Sequence, residues 1–229
     1  MQAVEWPGER PPPPPDLLPG DGGEQPGDAP RERVIYVVDD VPVEIVRERV
    51  QYYDPHGVLI TESLADYSGD KARAAFRSLD DFLQTWNAAD RKKELIVQLI
   101  RRGVLLEELA EQMGRDYDPF DLVCAVAYDR PPLTRRERAR RVQKDDVYTQ
   151  HGDTARAVLA ALLDRYADRG IEAIEEAADP RLSLEALRAA PLDRFGTPME
   201  IVRAFGGRDA YATAVRRLQR QLYQLGIRN

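Results

Sequence analysis

The segment Tyr117–Lys144, YDPFDLVCAVAYDRPPLTRRERARRVQK, limits what this chain can fold into more than any other, because it forces two helices to meet at a fixed break. Pro131 and Pro132 lock their own φ angles and offer no backbone N–H, and Pro131 steers Arg130 away from the α region. A helix running through DPFDLVCAVAY must therefore stop near Asp129. Thr134 followed by Glu137 is a capping box, in which each side chain satisfies a backbone N–H near the other, so a helix restarts at once. The first helix is almost wholly apolar and belongs in a core. The second carries Arg135, Arg136, Arg138, Arg140 and Arg141 in its first turns. Cations at a helix N-terminus oppose the macrodipole by a few tenths of a kcal/mol each. Such a pattern suits a surface that meets something anionic.

Around this segment there is enough chain to bury a real core: 229 residues, 43% of them hydrophobic and 32% charged. The net charge of −7 argues against a protein that coats nucleic acid generally, so any DNA contact must come from a local patch. The single cysteine, Cys124, can form no intrachain disulfide, which fits a reducing cytoplasm. No run approaches the ~18–20 apolar residues a membrane span needs. The N-terminus has neither the basic nor the apolar part of a signal peptide. A cytoplasmic protein with no membrane partner is the expectation.

The pattern predicts a mainly α fold: a helical bundle preceded by a small antiparallel β-meander and a disordered Pro/Gly-rich N-terminal linker. Residues 1–32 are the linker, with Pro11–Pro15 favouring polyproline II. Residues 33–66 form the meander. RVIYVV, VPVEIVRERVQYY and VLIT are read as three strands, with turns at Asp39-Asp40 and at Asp54-Pro55-His56-Gly57. Pro42 should stand on an edge or first in its strand. Residues 67–229 form a helical domain packed on the meander. Its start signals are Ser78 with Asp81 and, strongest of all, Thr197-Pro198-Met199-Glu200. Gly103, Gly114, Gly170 and Gly206-Gly207 are its stops. Tyr211, Val215, Leu218, Leu222 and Leu225 form a heptad-type stripe on the last helix, too short for a persuasive coiled coil.

The sequence offers no catalytic motif that can be assigned. The chain has four lysines and no Gly-Lys pair, so no phosphate-binding P-loop is possible. No metal-dependent nuclease element is assigned either. Carboxylates adjacent in sequence, at Asp39-Asp40, Asp80-Asp81, Glu107-Glu108 and Asp145-Asp146, point apart on a helix and make no shared acid–base site. His56, His151 and Cys124 lack the companions of a zinc site. No residue of this chain is therefore expected to be catalytic, to ligate a metal or to bind a cofactor. The candidate binding residues are Arg135, Arg136, Arg138, Arg140, Arg141, Pro131 and Pro132. The segment Arg130–Lys144 has a net charge of about +6, whereas Glu107–Asp121 is strongly acidic. Four readings stay open: the two segments pair with each other, the arginines cover a solvated face, the Pro-Pro corner and its flanking aromatics dock a partner, or the arginines touch DNA.

The corner and its flanks also resemble a known family. Beside Tyr117–Lys144 stand VQYYDPHGVLITESLADYS at 50–68, SLDDFLQTWNAADRKKELI at 78–96 and GVLLEELAEQMGRDYDPFDLV at 103–123. YTQHGDTARAVLAALLDRYADRGI at 148–171 and FGTPMEIVRAFGG at 195–207 follow. This ordered set resembles the C-terminal region of the R (motor and nuclease) subunits of type I restriction-modification enzymes, the family named after the EcoEI R protein. The resemblance covers roughly residues 34–225. Ala125 and Arg130 depart from it, where the family commonly has histidine and glutamine. The resemblance implies a non-catalytic region that couples an ATP-dependent DNA translocase and nuclease to a methyltransferase–specificity core. The implied partners are the methyltransferase and specificity subunits, the motor and nuclease part of the R subunit, and DNA through the complex. Two alternatives belong to other classes: a free-standing helical DNA-binding module using Arg135–Arg141, and a homo-oligomeric scaffold built through the terminal stripe.

Overall fold

Runs of β-branched and aromatic residues with period-two alternation produce the sheet. The computed structural model describes residues 34–38, 41–46, 49–89, 91–144, 150–179, 183–188 and 192–224. The linker with its Pro11–Pro15 run, the Asp39-Asp40 turn, the Asp145-Asp146 pair and Leu225 lie outside the described residues. Strands β1 (Val34–Val38), β2 (Val41–Val46), β3 (Arg49–Tyr53) and β4 (Leu59–Ser63) form one antiparallel sheet in that order.

The expected three strands are thus four. VPVEIVRERVQYY is two strands, paired in register from Val46↔Arg49 to Glu44↔Gln51. Arg47-Glu48 carries none of the Asn-Gly or Asp-Gly chemistry that marks a hairpin, so the break was not legible. Val38, Val43 and Val50 face the core, while Ile35, Val37, Tyr53 and Leu59 are exposed on the other side. Pro42 is the second residue of β2, opposite Val37 and beyond the stretch that pairs with β3. The Asp54 carboxylate closes the β3–β4 turn by accepting the N–H groups of His56 at 2.9 Å and Val58 at 2.8 Å.

The helices follow: α1 (Leu64–Ala75), α2 (Leu79–Ala88), α3 (Lys92–Arg101), α4 (Leu106–Met113), α5 (Pro119–Tyr128) and α6 (Arg135–Val142). Beyond residues 145–149 come α7 (Asp153–Arg169), α8 (Glu172–Ala178), α9 (Ser183–Arg188), a 3₁₀ turn (Leu192–Phe195), α10 (Pro198–Ala204) and α11 (Arg208–Gln224). The predicted caps at Ser78, Thr134 and Thr197 all form, the last two with both halves of the capping box in place. The first helix begins at Leu64, sooner than expected, because Ser63 at the end of β4 accepts the N–H of Asp66 and caps it. Gly103 follows α3 with φ +91, the left-handed geometry a helix stop requires. Among the described residues no helix is long and apolar enough to cross a membrane.

Sheet and helices share one core. Val38, Val43 and Val50 belong to the same buried cluster as Phe82, Trp86, Leu122, Leu162 and Leu222. Phe82, Trp86, Phe120 and Tyr223 form its aromatic centre, with centroids 4.9 Å apart at Phe120–Tyr223 and 5.2 Å at Trp86–Phe120. The apolar stripe of α7, including Val158, Leu162 and Tyr166, is fully buried as expected. So are Tyr211, Val215, Leu218 and Leu222 of α11. Over its described residues that stripe packs within its own bundle.

One glycine decides a helix contact. Gly69 of α1 lies against α5, and a Cβ there would fall inside the van der Waals shell of the Val126 carbonyl oxygen. Arg73, one turn on, donates to the carbonyls of Val126 at 3.3 Å and Ala127 at 3.0 Å, so it neutralises the end of α5 across the same close approach. Gly69→Ala is expected to push the two helices apart and cost about 1–3 kcal/mol. Urea unfolding followed by circular dichroism reads this directly, and an unchanged midpoint would refute the close contact.

Candidate functional site

The proline break works as the sequence predicts, and its consequences run further. Asp118 caps α5 with Pro119 behind it, and the helix ends at Asp129, whose φ of 51 places it in the left-handed region. Residues Arg130–Leu133 then run back along α5, so that Thr134 forms a β-bridge with Tyr117 and Arg135 N–H donates to the Asp116 carbonyl at 2.9 Å. The Leu133 N–H donates to the Asp121 carboxylate at 3.0 Å. The corner is thereby bound to the start of the helix it has just left.

This fold-back aims Arg138 inward. Its guanidinium is 2% exposed and bonds Asp121 with both prongs, Nε to Oδ2 at 3.1 Å and Nη2 to Oδ1 at 2.5 Å. Its third nitrogen donates to the Leu222 carbonyl of α11. Phe120 and Tyr223 flank it, with ring centroids 5.0 and 5.4 Å from the guanidinium carbon. Beside this pair, Asp118 accepts hydroxyl protons from Tyr166 at 3.0 Å and Tyr223 at 3.2 Å, and the Phe120 N–H at 3.1 Å. One polar network thus joins α5, α6, α7 and α11.

Burial sets its protonation. Removal from water raises the Asp121 carboxyl above its usual range, opposed by the Arg138 charge and the Leu133 N–H. Burial works against the Arg138 charge too, but Asp121 together with Tyr166 and Asp118 outweighs it and raises that group. Tyr166 and Tyr223 are pushed well above ordinary phenols, chiefly by burial, and stay neutral donors to Asp118.

The five arginines therefore do not form one surface. Arg138 is a core residue, a correction to its placing among the binding candidates. Arg135 is half-buried and donates to the carbonyls of Arg115 at 2.9 Å, Tyr117 at 3.4 Å and Ala167 at 3.4 Å, so it ties the α4–α5 connection to the end of α7. Arg136 is exposed, 3.7 Å from Asp168. Arg140, Arg141 and Pro131 are exposed, and Pro132 is half-buried. What remains outward is Arg136, Arg140 and Arg141 beside Pro131. Asp118, Asp121, Tyr166 and Tyr223 were missed as partners, although two carboxylates three apart in an otherwise apolar helix were the available signal.

Other candidate chemistry resolves into structure. The sequence does hold one Asp-x-Lys spacing, Asp90-Arg91-Lys92. Asp90 lies outside the described residues, and the Lys92 ammonium is sunk against the carbonyls of Trp86 and Ala89, where it caps the end of α2. Burial pushes the Cys124 thiol up to about 12, the opposite of what a nucleophile needs. Among the described residues no three His, Cys, Asp or Glu side chains converge as metal ligands.

Residues 62–223 match the family model described as EcoEI R protein C-terminal. The chain is also similar to the Type I restriction enzyme EcoAI endonuclease subunit of Escherichia coli, 44% identical over 193 residues. That alignment covers 84% of this chain and 23% of the relative, so the chain spans under a quarter of that protein's length. No solved structure matches.

The buried pair yields a double-mutant test. Arg138→Met alone leaves Asp121 charged and unpaired in the core, and should cost about 3–5 kcal/mol. Arg138→Met with Asp121→Leu should cost clearly less than the two single changes added together. Simple additivity in chemical denaturation would show that the two groups do not interact.

Proposed function

We propose a coupling role for this chain, which belongs to the EcoEI R protein C-terminal family. It is the non-catalytic C-terminal region of a type I restriction endonuclease R subunit, and it joins an ATP-dependent DNA translocase and nuclease to the methyltransferase–specificity core. It acts in the cytoplasm, and its partners are the methyltransferase and specificity subunits and the motor part of the R subunit. DNA is met through that complex.

The observation that carries this reading is the mounting of α6. Its inner arginines are spent on holding it, Arg138 on Asp121 and Leu222, Arg135 on three backbone carbonyls. Its outer arginines, Arg136, Arg140 and Arg141, are thereby presented at fixed positions beside Pro131. A basic ridge on a rigid seat can recognise an acidic partner surface and transmit its position, because little motion is lost between the contact and the core. The family match supports the identity of the partners, since it spans the helices that build this seat. The relative's name as an endonuclease subunit supports the setting.

The test is co-purification with a cognate methyltransferase–specificity complex. Arg136→Glu with Arg140→Glu and Arg141→Glu should abolish retention while circular dichroism and melting stay unchanged. Retention at the level of the unaltered chain would exclude α6 as the docking face. Arg135 and Arg138 must be left alone, because changing them perturbs the fold itself.

The same three exposed arginines support a second reading, direct DNA binding by α6. Three phosphate contacts would give log K against log salt a slope of about −2.7. Gel-shift titration at two salt concentrations measures it, and no retarded band at low salt removes this alternative.

A further inference from the structure

A cleft of about 660 Å³ opens between the α2–α3 junction, α8 and the second half of α11. That lies within the ~300–1,000 Å³ of typical ligand sites. Most of the charge around it is already matched. Asp179 meets Arg91 at 3.0 Å, Glu172 meets Lys93 at 3.0 Å, and Glu176 meets Arg169 at 2.9 Å. Two cations on the α11 wall are different. Arg216 and Arg220, one helical turn apart and both exposed, have no ion-pair partner among the described residues.

Beside them on the helix stands a polar side chain with unmet needs. Gln219 is 7% exposed, lines the cleft, and buries its amide nitrogen with no acceptor. Asn87, which lines the cleft from α2, buries its amide oxygen with no donor. Buried amide atoms are nearly always paired, so two open ones in the wall of one cleft call for a ligand that completes them.

We propose that this cleft receives an extended peptide segment carrying an acidic side chain. The carboxylate lies between Arg216 and Arg220, whose planar forks match it. One peptide group accepts from Gln219 through its carbonyl and donates to Asn87 through its N–H, which is the complement the two open amides require. A peptide group offers the acceptor and the donor that the Gln219 nitrogen and the Asn87 oxygen require, whereas a phosphate backbone offers acceptors only and would leave the Asn87 oxygen unmet, so a peptide fits where a nucleic acid backbone does not. The inference deepens the coupling role and rests on it for the source of the segment, a partner subunit. The cleft itself can be tested without that subunit.

The experiment is a nuclear magnetic resonance titration of the isotope-labelled full chain with three probes. They are a blocked hexapeptide with one central glutamate among glycines and serines, the same peptide with glutamine, and an oligothymidylate. The glutamate peptide should move the side-chain amide signals of Gln219 and Asn87 saturably at concentrations up to ~10 mM. The glutamine peptide should bind about tenfold more weakly or worse. Arg216→Gln with Arg220→Gln should erase that preference with the backbone spectrum otherwise kept. No saturable shift, equal binding of the two peptides, or the same signals moved by the oligothymidylate would each overturn the proposal. Loss of peptide binding alongside retained co-purification would remove this cleft and leave the coupling role standing, whereas the converse would remove the coupling role alone.

Discussion

The structure depends on the contact between Arg138 and Asp121. Two opposite charges taken out of water lose more hydration than their attraction alone restores, unless geometry and further hydrogen bonds are good. Here they are. The guanidinium uses both prongs on the carboxylate and a third donor on the Leu222 carbonyl, and two rings cover its faces. The carboxylate takes the Leu133 N–H as well. These groups come from α5, the corner and α11, so satisfying them all is possible in only one relative placement of α5, α6 and α11. A pair of this kind adds little net stability over a well-packed apolar cluster. Its value is selection: a sliding or rotated α6 would leave a charge buried without its partner.

That selection explains why the surface differs from the composition of the helix. Five arginines on so short an element suggest an electrostatic rail, yet two of them are anchors. Asp118 performs a parallel service, holding the hydroxyls of Tyr166 and Tyr223 and so locking α7 and α11 to the cap of α5. The acidic charge of Glu107–Asp121 and the basic charge of Arg130–Lys144 are thus partly consumed by each other, and only the residue of that neutralisation reaches the surface. For a chain of net charge −7, a small basic ridge stands out against its background and can orient an acidic partner at range.

Much of this was legible in the sequence where the signal was local. The caps at Ser78, Thr134 and Thr197 placed their helices, because a capping box involves only four consecutive residues. The apolar stripe of α7 and the stops at Gly103 and Gly170 were equally local. The split of β2 from β3 was hidden because its connection, Arg47-Glu48, has no turn chemistry. The segment from Glu172 to Arg194 was read only as part of the helical domain, with no element placed in it. Its α8, α9 and 3₁₀ turn are one or two turns long, too brief for a hydrophobic period to show. The family resemblance could be stated from the ordered segments, whereas the fate of each arginine could not. An eight-residue helix with arginine at five places is polar nearly all round and has no clear apolar face to read. Which of them turns inward is set by Asp121, which lies on the far side of the Pro-Pro corner and is brought near only by the fold-back.

The fold-back also bears on the proposed coupling role. A contact that merely holds two proteins together can sit on any flexible loop, but a contact that reports position must move with the core behind it. The path from α6 to the centre of this bundle has no soft step. The corner is fixed by two prolines and a bridge to Tyr117, the helix is seated by Arg138, and the seat is shared with α11 through Leu222. The cleft lies along the same α11, where Gln219 stands one turn before the Leu222–Tyr223 pair that touches Arg138. A segment bound in the cleft and a surface bound on α6 would therefore press on one common helix. Any coupling between the two sites would be reciprocal in binding free energy, and it would pass through α11 only as far as each contact shifts that helix.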